Sequence, residues 1–191
     1  LCVNGGFDPD VLYELVYTAK DPLVLGVGLA ATRDINAFFR YATADAAGTP
    51  NPVAGMVDHA ISIANSQSGN FIKTVIHLGF NEDLNGRIIW DGVFPRIAAR
   101  QTPINYRFAQ PGGAGRLYEP GSEPVVWWGR YEDTARHRAA ASMLDRCSAT
   151  NTCPKVIEAF TAAEFWGLRM SPGLIGTDAT ADIPLPSNVR R

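Results

Sequence analysis

Apolar and polar positions follow two different rhythms along the chain, and the switches between them mark out its elements. Val11-Leu12-Tyr13-Glu14-Leu15-Val16-Tyr17-Thr18 is rich in β-branched and aromatic residues and lies between Asp8-Pro9 and Asp21-Pro22, which predicts a strand. Ala31, Ile35, Phe38, Phe39 and Ala42 then fall at helical spacing opposite Arg33, Asn36 and Arg40. They predict a helix that packs one face on a sheet and stops at the breaker-rich segment 47–52. His59-Ala60-Ile61-Ser62-Ile63-Ala64 reads as a strand, Asn65-Ser66-Gln67-Ser68-Gly69 as a tight turn, and Phe71 to Leu78 as a helix closed by Gly79. The apolar residues of that helix leave only a narrow polar strip, on which Lys73 and His77 are expected to sit.

After a turn at Asn81-Glu82-Asp83-Leu84-Asn85-Gly86, the run Arg87 to Phe94 predicts another strand. Segment 101–131 has no sustained period, is rich in Pro and Gly, and carries Tyr106, Phe108, Tyr118, Trp127 and Trp128. It is expected to leave the sheet and cap a pocket; the alternative for the two tryptophans is core packing. A helix from about Asp133 to Arg146, a strand Lys155-Val156-Ile157-Glu158-Ala159-Phe160 and a last strand starting at Val189 complete the series. Strands that alternate with helices predict an α/β domain, a mostly parallel sheet flanked by helices.

Composition sharpens this picture in a few respects. With 46% hydrophobic and 19% charged residues in 191, the chain can build one core, so a single domain over 1–191 is expected. A formal net charge of -2 gives no electrostatic reason to expect nucleic acid or an anionic membrane, and leaves a small-molecule or polymer ester as the expected partner once a site is found. The longest apolar run, 22–31, is interrupted by Gly26 and Gly28 and is too short to cross a bilayer. Cys147 and Cys153 flank the polar turn Ser148-Ala149-Thr150-Asn151-Thr152 and are expected to form a local disulfide, the alternative being a metal site that would need further ligands nearby. A disulfide favours an oxidising compartment, so a secreted or periplasmic location is expected, with Cys2 either unpaired or without its partner in this sequence.

Candidate chemistry centres on Ser66. A nucleophilic serine in a parallel sheet needs a sharp strand-to-helix turn, which lifts the hydroxyl above the strand ends and aims a helix N-terminus at developing negative charge. Ser66 stands at such a turn, with small residues, Ala64 and Ser68, two positions to either side and Gly69 one place later. The competing reading is a serine that caps the exposed N–H groups of an ordinary helix start.

Several segments resemble a bacterial family of α/β-hydrolase domain proteins. They are Ala64-Asn65-Ser66-Gln67-Ser68-Gly69-Asn70-Phe71, Gly79-Phe80-Asn81-Glu82-Asp83 with Gly86-Arg87 and Asp91-Gly92, and Cys153-Pro154-Lys155. The opening Gly6-Phe7-Asp8 with Tyr13 to Tyr17, and the closing run from Asp182 to Arg191, resemble the same family, so the similarity spans essentially the whole chain. The family usually has Gly at Ala64 and Arg at Asn70. The resemblance implies an α/β-hydrolase sheet, Ser66 as nucleophile of a serine esterase, and the Gln67 N–H as an oxyanion donor, with no metal or organic cofactor.

This fold orders its triad as serine, then an acid after a later strand, then histidine after the last strand. Glu164 fits the second place, following strand 155–160 by a short turn; its alternative role is that of a helix-start carboxylate. Asp133 and Asp91 are weaker candidates. His59, His77 and His137 do not suit a general base, and His137 reads as part of a basic helical surface with Arg136 and Arg138. The resemblance places the histidine in a loop beyond Arg191, and the second oxyanion donor in a loop among strands before Leu1, so the chain reads as a middle section of a longer hydrolase. Two other classes compete. A non-catalytic binding domain of the same fold is one; a dinucleotide-binding domain is the other, since Gly26-Val27-Gly28-Leu29-Ala30-Ala31 matches G-x-G-x-x-A. The second lacks an acidic residue on a strand about twenty residues on, and its glycines are expected to serve close helix packing instead.

Overall fold

The computed structural model describes residues 2–11, 13, 18, 20, 21, 26–102 and 125–191. The predicted strand 11–18 falls largely outside the described residues, as do Leu23 to Leu25, Tyr106, Phe108 and Tyr118. Helix α1 spans Val27–Tyr41, starting four residues before the periodic pattern does. Gly26 precedes it at φ 82°, a left-handed conformation that glycine adopts without strain. A Cβ at Gly28 would meet nothing within 4 Å among the described residues, so the expected close packing at this glycine is not found among them. The helix is docked by polar contacts: Arg40 donates to the Ile89 carbonyl at 2.8 Å and pairs with Asp91 at 2.9 Å, and the Trp90 indole donates to Asn36.

Strand β1, Ile61–Asn65, leads into helix α2, Gln67–His77, and then into β2, Gly92–Arg96. A two-stranded hairpin, β3 Tyr131–Asp133 and β4 Arg138–Ala141, precedes the short helix α3, Asp145–Thr150. Strand β5, Lys155–Ile157, a single π-helical turn Ala163–Gly167, helix α4, Pro172–Ile175, and β6, Val189–Arg190, complete the described chain. The main sheet has the order β1-β2-β5-β6 and every pairing in it is parallel, as the alternation of strands and helices predicts.

Three predicted elements differ from the structure. The strand expected over 87–94 begins only at Gly92. Residues 88–90 instead run along Asn81, whose side chain accepts from the Trp90 N–H and donates to the Trp90 and Thr152 carbonyls. That side chain satisfies backbone groups a neighbouring strand would otherwise take, so apolar residues there are buried without being a strand. The helix expected from Asp133 to Arg146 is a hairpin followed by the short α3. Its interior is interrupted at His137, which has φ 53°, and Asp133 is buried against Thr177, a long-range contact that overrides local helix propensity. The basic triplet is therefore no helical face: Arg136 pairs inward with Asp133, while His137 and Arg138 are exposed. The strand expected to reach Phe160 is regular only to Ile157, although a parallel bridge links Arg96 and Ala159 beyond it.

The core lies on one face of the sheet. Val93, Val156 and Val189 point from three strands toward Ile72, Val75 and Ile76 of α2, with Leu29, Trp90, Trp128 and Met143 filling in around them. Each such buried side chain contributes roughly 1.5–3 kcal/mol. The opposite face carries Ile61, Ile63 and Ile157, which are exposed. Trp127 and Trp128 are both fully buried, so of their two possible roles they fill the packing one. Cys147 and Cys153 form the expected disulfide, tying α3 to the residues that enter β5. Cys2 is free and exposed.

Candidate active site

All four strands of the main sheet run the same way, so the turns that follow them gather along one edge. Ser66 lies on that edge between β1 and α2, at φ 52° and ψ -123°. This backbone region is sparsely populated for any residue with a Cβ and costs of order 1–3 kcal/mol. Its N–H donates to the Arg96 carbonyl at 2.9 Å, which pins the turn to the end of β2. Ser66 occupies the N-cap position of α2 yet makes no side-chain capping bond. An ordinary capping serine has β-region geometry and a bonded hydroxyl, so the capping alternative fails here on both counts. Ser66 is exposed, and the helix dipole is directed at its surroundings. Gln67 opens α2, so its N–H is one of the amides that helix geometry leaves without an intrahelical acceptor.

Close packing at the turn falls on Gly69 and not on Ser68. Ser68 is exposed, whereas a Cβ at Gly69 would stand 2.7 Å from the Ala98 Cβ and 3.2 Å from the Ala64 and Arg96 carbonyl oxygens. The small residue demanded on the helix side is thus three places after the serine. Two of the obstructing atoms are backbone and cannot swing away. Gly69→Ala is expected to destabilise the fold by about 1–3 kcal/mol, measured by denaturant unfolding, because α2 must move off β2 to admit the methyl group. Asn70 follows, and its side chain accepts from the Arg100 N–H at 3.1 Å.

Glu164 lies in the turn after β5, one strand beyond β2. Ile97, just past β2, donates its N–H to the Ala159 carbonyl at 2.7 Å, so the end of β2 touches both the serine turn and the segment leading to Glu164. Glu164 is buried, and its Oε2 accepts from the Thr161 N–H and hydroxyl, each at 2.7 Å. The Thr161 hydroxyl accepts in turn from the Ala163 N–H. Glu164 thus accepts from the N–H of the residue three places before it, as a helix-start carboxylate does, while the Thr161 hydroxyl takes the Ala163 N–H and the reciprocal half of a capping box is not made. The Thr161 hydroxyl and, against some burial, the Thr161 amide hold its carboxyl below the ordinary glutamate value, which keeps it ionised at neutral pH.

The other candidates lie elsewhere. Asp91 precedes β2 at the opposite edge of the sheet, where it pairs with Arg40 and His59 and accepts from the Ala60 N–H. Strand β1 alone puts about 16 Å between that edge and Ser66. Asp133 is fully buried between Arg136 and Thr177. His77 ends α2, roughly 16 Å along the helix from Ser66, and burial together with Arg146 lowers its pKa. His137 joins β3 to β4, outside the main sheet. The turn at Asp83 is closed by Arg87, which pairs with its carboxylate at 2.7 Å.

Lys73 was expected on a polar strip and is instead buried inside the domain, with Glu158 as its ion-pair partner. Glu158 also accepts from Arg191 Nε at 2.7 Å. The signal in the sequence is a Lys or Glu inside each of two largely apolar runs, 71–78 and 156–160.

No curated protein and no solved structure matches this chain. A family model described as an alpha/beta hydrolase domain matches residues 5–182, in accord with the parallel sheet and with the serine turn between β1 and α2. The chain therefore belongs to the alpha/beta-hydrolase domain family.

Proposed function

We propose that this hydrolase domain is a serine hydrolase acting on carboxylic esters through an acyl-enzyme, with Ser66 as nucleophile. The observation that carries this reading is the backbone of Ser66: a strained φ of 52° with no capping bond to account for the residue. Strain of this kind persists only where the surroundings impose it, and it is concentrated at functional positions. Here it holds a hydroxyl at the mouth of a helix N-terminus, on the edge of the sheet where the strand exits converge.

In the reaction, Ser66 Oγ attacks the acyl carbon while its proton passes to an imidazole. The Gln67 N–H donates to the developing oxyanion. The imidazolium gives the proton to the departing alcohol, and water then repeats the sequence to release the acid. Glu164 orients the imidazole through its δ N–H. None of His59, His77 and His137 follows a strand of the main sheet at its carboxyl end, and in this reading the imidazole comes from the loop that follows β6. The local disulfide supports an extracellular or periplasmic setting.

The test is labelling by a fluorophosphonate probe, with peptide mapping, on a polypeptide that carries this chain together with the loop after β6. Stoichiometric label on the peptide containing Ser66 is expected. A folded polypeptide that includes the histidine and leaves Ser66 unlabelled would favour the binding-domain reading instead.

A further inference from the structure

Beneath the edge that carries Ser66, on the side that α2 covers, three charged side chains from different elements meet. Lys73 comes from α2, seven residues after Ser66 and so on the same side of the helix two turns along. Its ammonium pairs with Glu158, donates to the Ala98 carbonyl at 2.5 Å and lies 5.9 Å from the centre of the Trp128 ring. Glu158 is the first residue after β5 and carries the chain into the Thr161–Glu164 turn. Arg191 is the first residue after β6; it donates to Glu158 at 2.7 Å and to the Gly173 carbonyl of α4 at 2.9 Å. Lys73 and Glu158 are each only 2% exposed. Burial pushes the Glu158 carboxyl up, and the Lys73 and Arg191 charges outweigh it, so the carboxylate remains ionised.

A buried ion cluster is an uneconomical way to stabilise a fold, because the desolvation of each charge offsets much of the Coulomb attraction, and apolar side chains of similar size often do as well. What the cluster does achieve is geometric. Its one carboxylate, at the exit of β5, pairs with Lys73 of the nucleophile helix and accepts from Arg191 at the exit of β6, while Lys73 also donates to the Ala98 carbonyl just past β2. These are the elements that in the proposed mechanism carry Ser66, Glu164 and the histidine loop.

We infer that Lys73, Glu158 and Arg191 are positioning residues that fix the relative placement of the three triad-bearing segments. The inference rests on the serine-hydrolase reading of Ser66. A mis-set triad loses rate in the chemical step, since displacement of about 1 Å can cost roughly 100-fold, whereas substrate affinity is set elsewhere.

The experiment measures the fluorophosphonate labelling rate at Ser66 and hydrolysis of p-nitrophenyl butyrate, using the polypeptide extended through the loop after β6. The double variant Lys73→Met, Glu158→Gln removes the buried charges with little change in volume. It is expected to remain folded by circular dichroism, while kcat and labelling rate fall at least about 10-fold and KM stays within about 2-fold. Arg191→Met is expected to lose rate in the same way, and Arg191→Lys, which keeps a cation beside Glu158, to recover most of it. A folded double variant with the parent's kcat and labelling rate overturns the inference. Should the double variant unfold, the Arg191 pair decides, and equal rates for Arg191→Met and the parent overturn it. A parent that is not labelled at Ser66 removes the serine-hydrolase reading itself, and the inference with it. A labelled parent with unaffected variants removes the inference alone.

Discussion

Ser66→Ala is expected to abolish probe labelling and to lower ester turnover by at least about 1000-fold, and Ser66→Gly to do the same while making the protein more stable. The first half follows from the chemistry, since no other hydroxyl at the turn shares the geometry of Ser66. The second half follows from the backbone. At φ 52° and ψ -123° the Cβ of Ser66 is held in a crowded conformation, and glycine relieves it. Against that gain, glycine costs about 0.5–1 kcal/mol through the greater freedom of the unfolded chain. The expected net stabilisation is about 1 kcal/mol, or roughly 2–4 °C in the thermal midpoint of a domain of this size. Ser66→Ala keeps the Cβ and the strain, so its midpoint stays near that of the parent. Comparing the two variants by thermal melting separates strain from loss of the hydroxyl. Equal midpoints for alanine and glycine would show that the turn stores no strain.

The second large effect is expected at Glu164. Because the residue accepts from both the N–H and the hydroxyl of Thr161, its truncation would damage the helix start and confuse structure with catalysis. Glutamine avoids this: it fills the same place in capping boxes and can still accept from Thr161. Glu164→Gln is therefore expected to leave denaturant stability within about 0.5 kcal/mol of the parent while kcat falls by about 100- to 10,000-fold, since a neutral amide neither stabilises the imidazolium nor fixes its tautomer. Loss of rate with unchanged stability supports the acid role. Unchanged rate would leave Glu164 as a helix-start carboxylate only and move the search for the acid outside that turn.

Much of this was legible along the chain. The apolar run ending at Ala64, the small-residue turn and the apolar helix after it locate the β1–α2 unit from sequence because strand, turn and helix are adjacent, and their periodicities report the burial of each. The cysteine pair was equally readable, since only a short turn separates its members. The segment 133–146 misled because alanines and arginines at helical spacing say nothing about Asp133 meeting Thr177, a residue far along the chain. Residues 88–90 misled in the same way, as Asn81 satisfies the backbone groups that a strand neighbour would have taken.

Taken alone, the sequence determined the alternating α/β plan, the place of the serine turn, the disulfide and the resemblance to the hydrolase family, all of which depend on residues close together or on pattern. Tertiary structure alone decided that the turn is strained and uncapped, that Gly69 and not Ser68 is the tight position, and that Lys73 lies buried against Glu158 and Arg191. Each of these depends on how α2 sits across β2, β5 and β6, so the partners come from segments up to the far end of the chain. A charge inside an apolar run can be recognised from sequence as an anomaly, but its partner is set by the packing of the sheet.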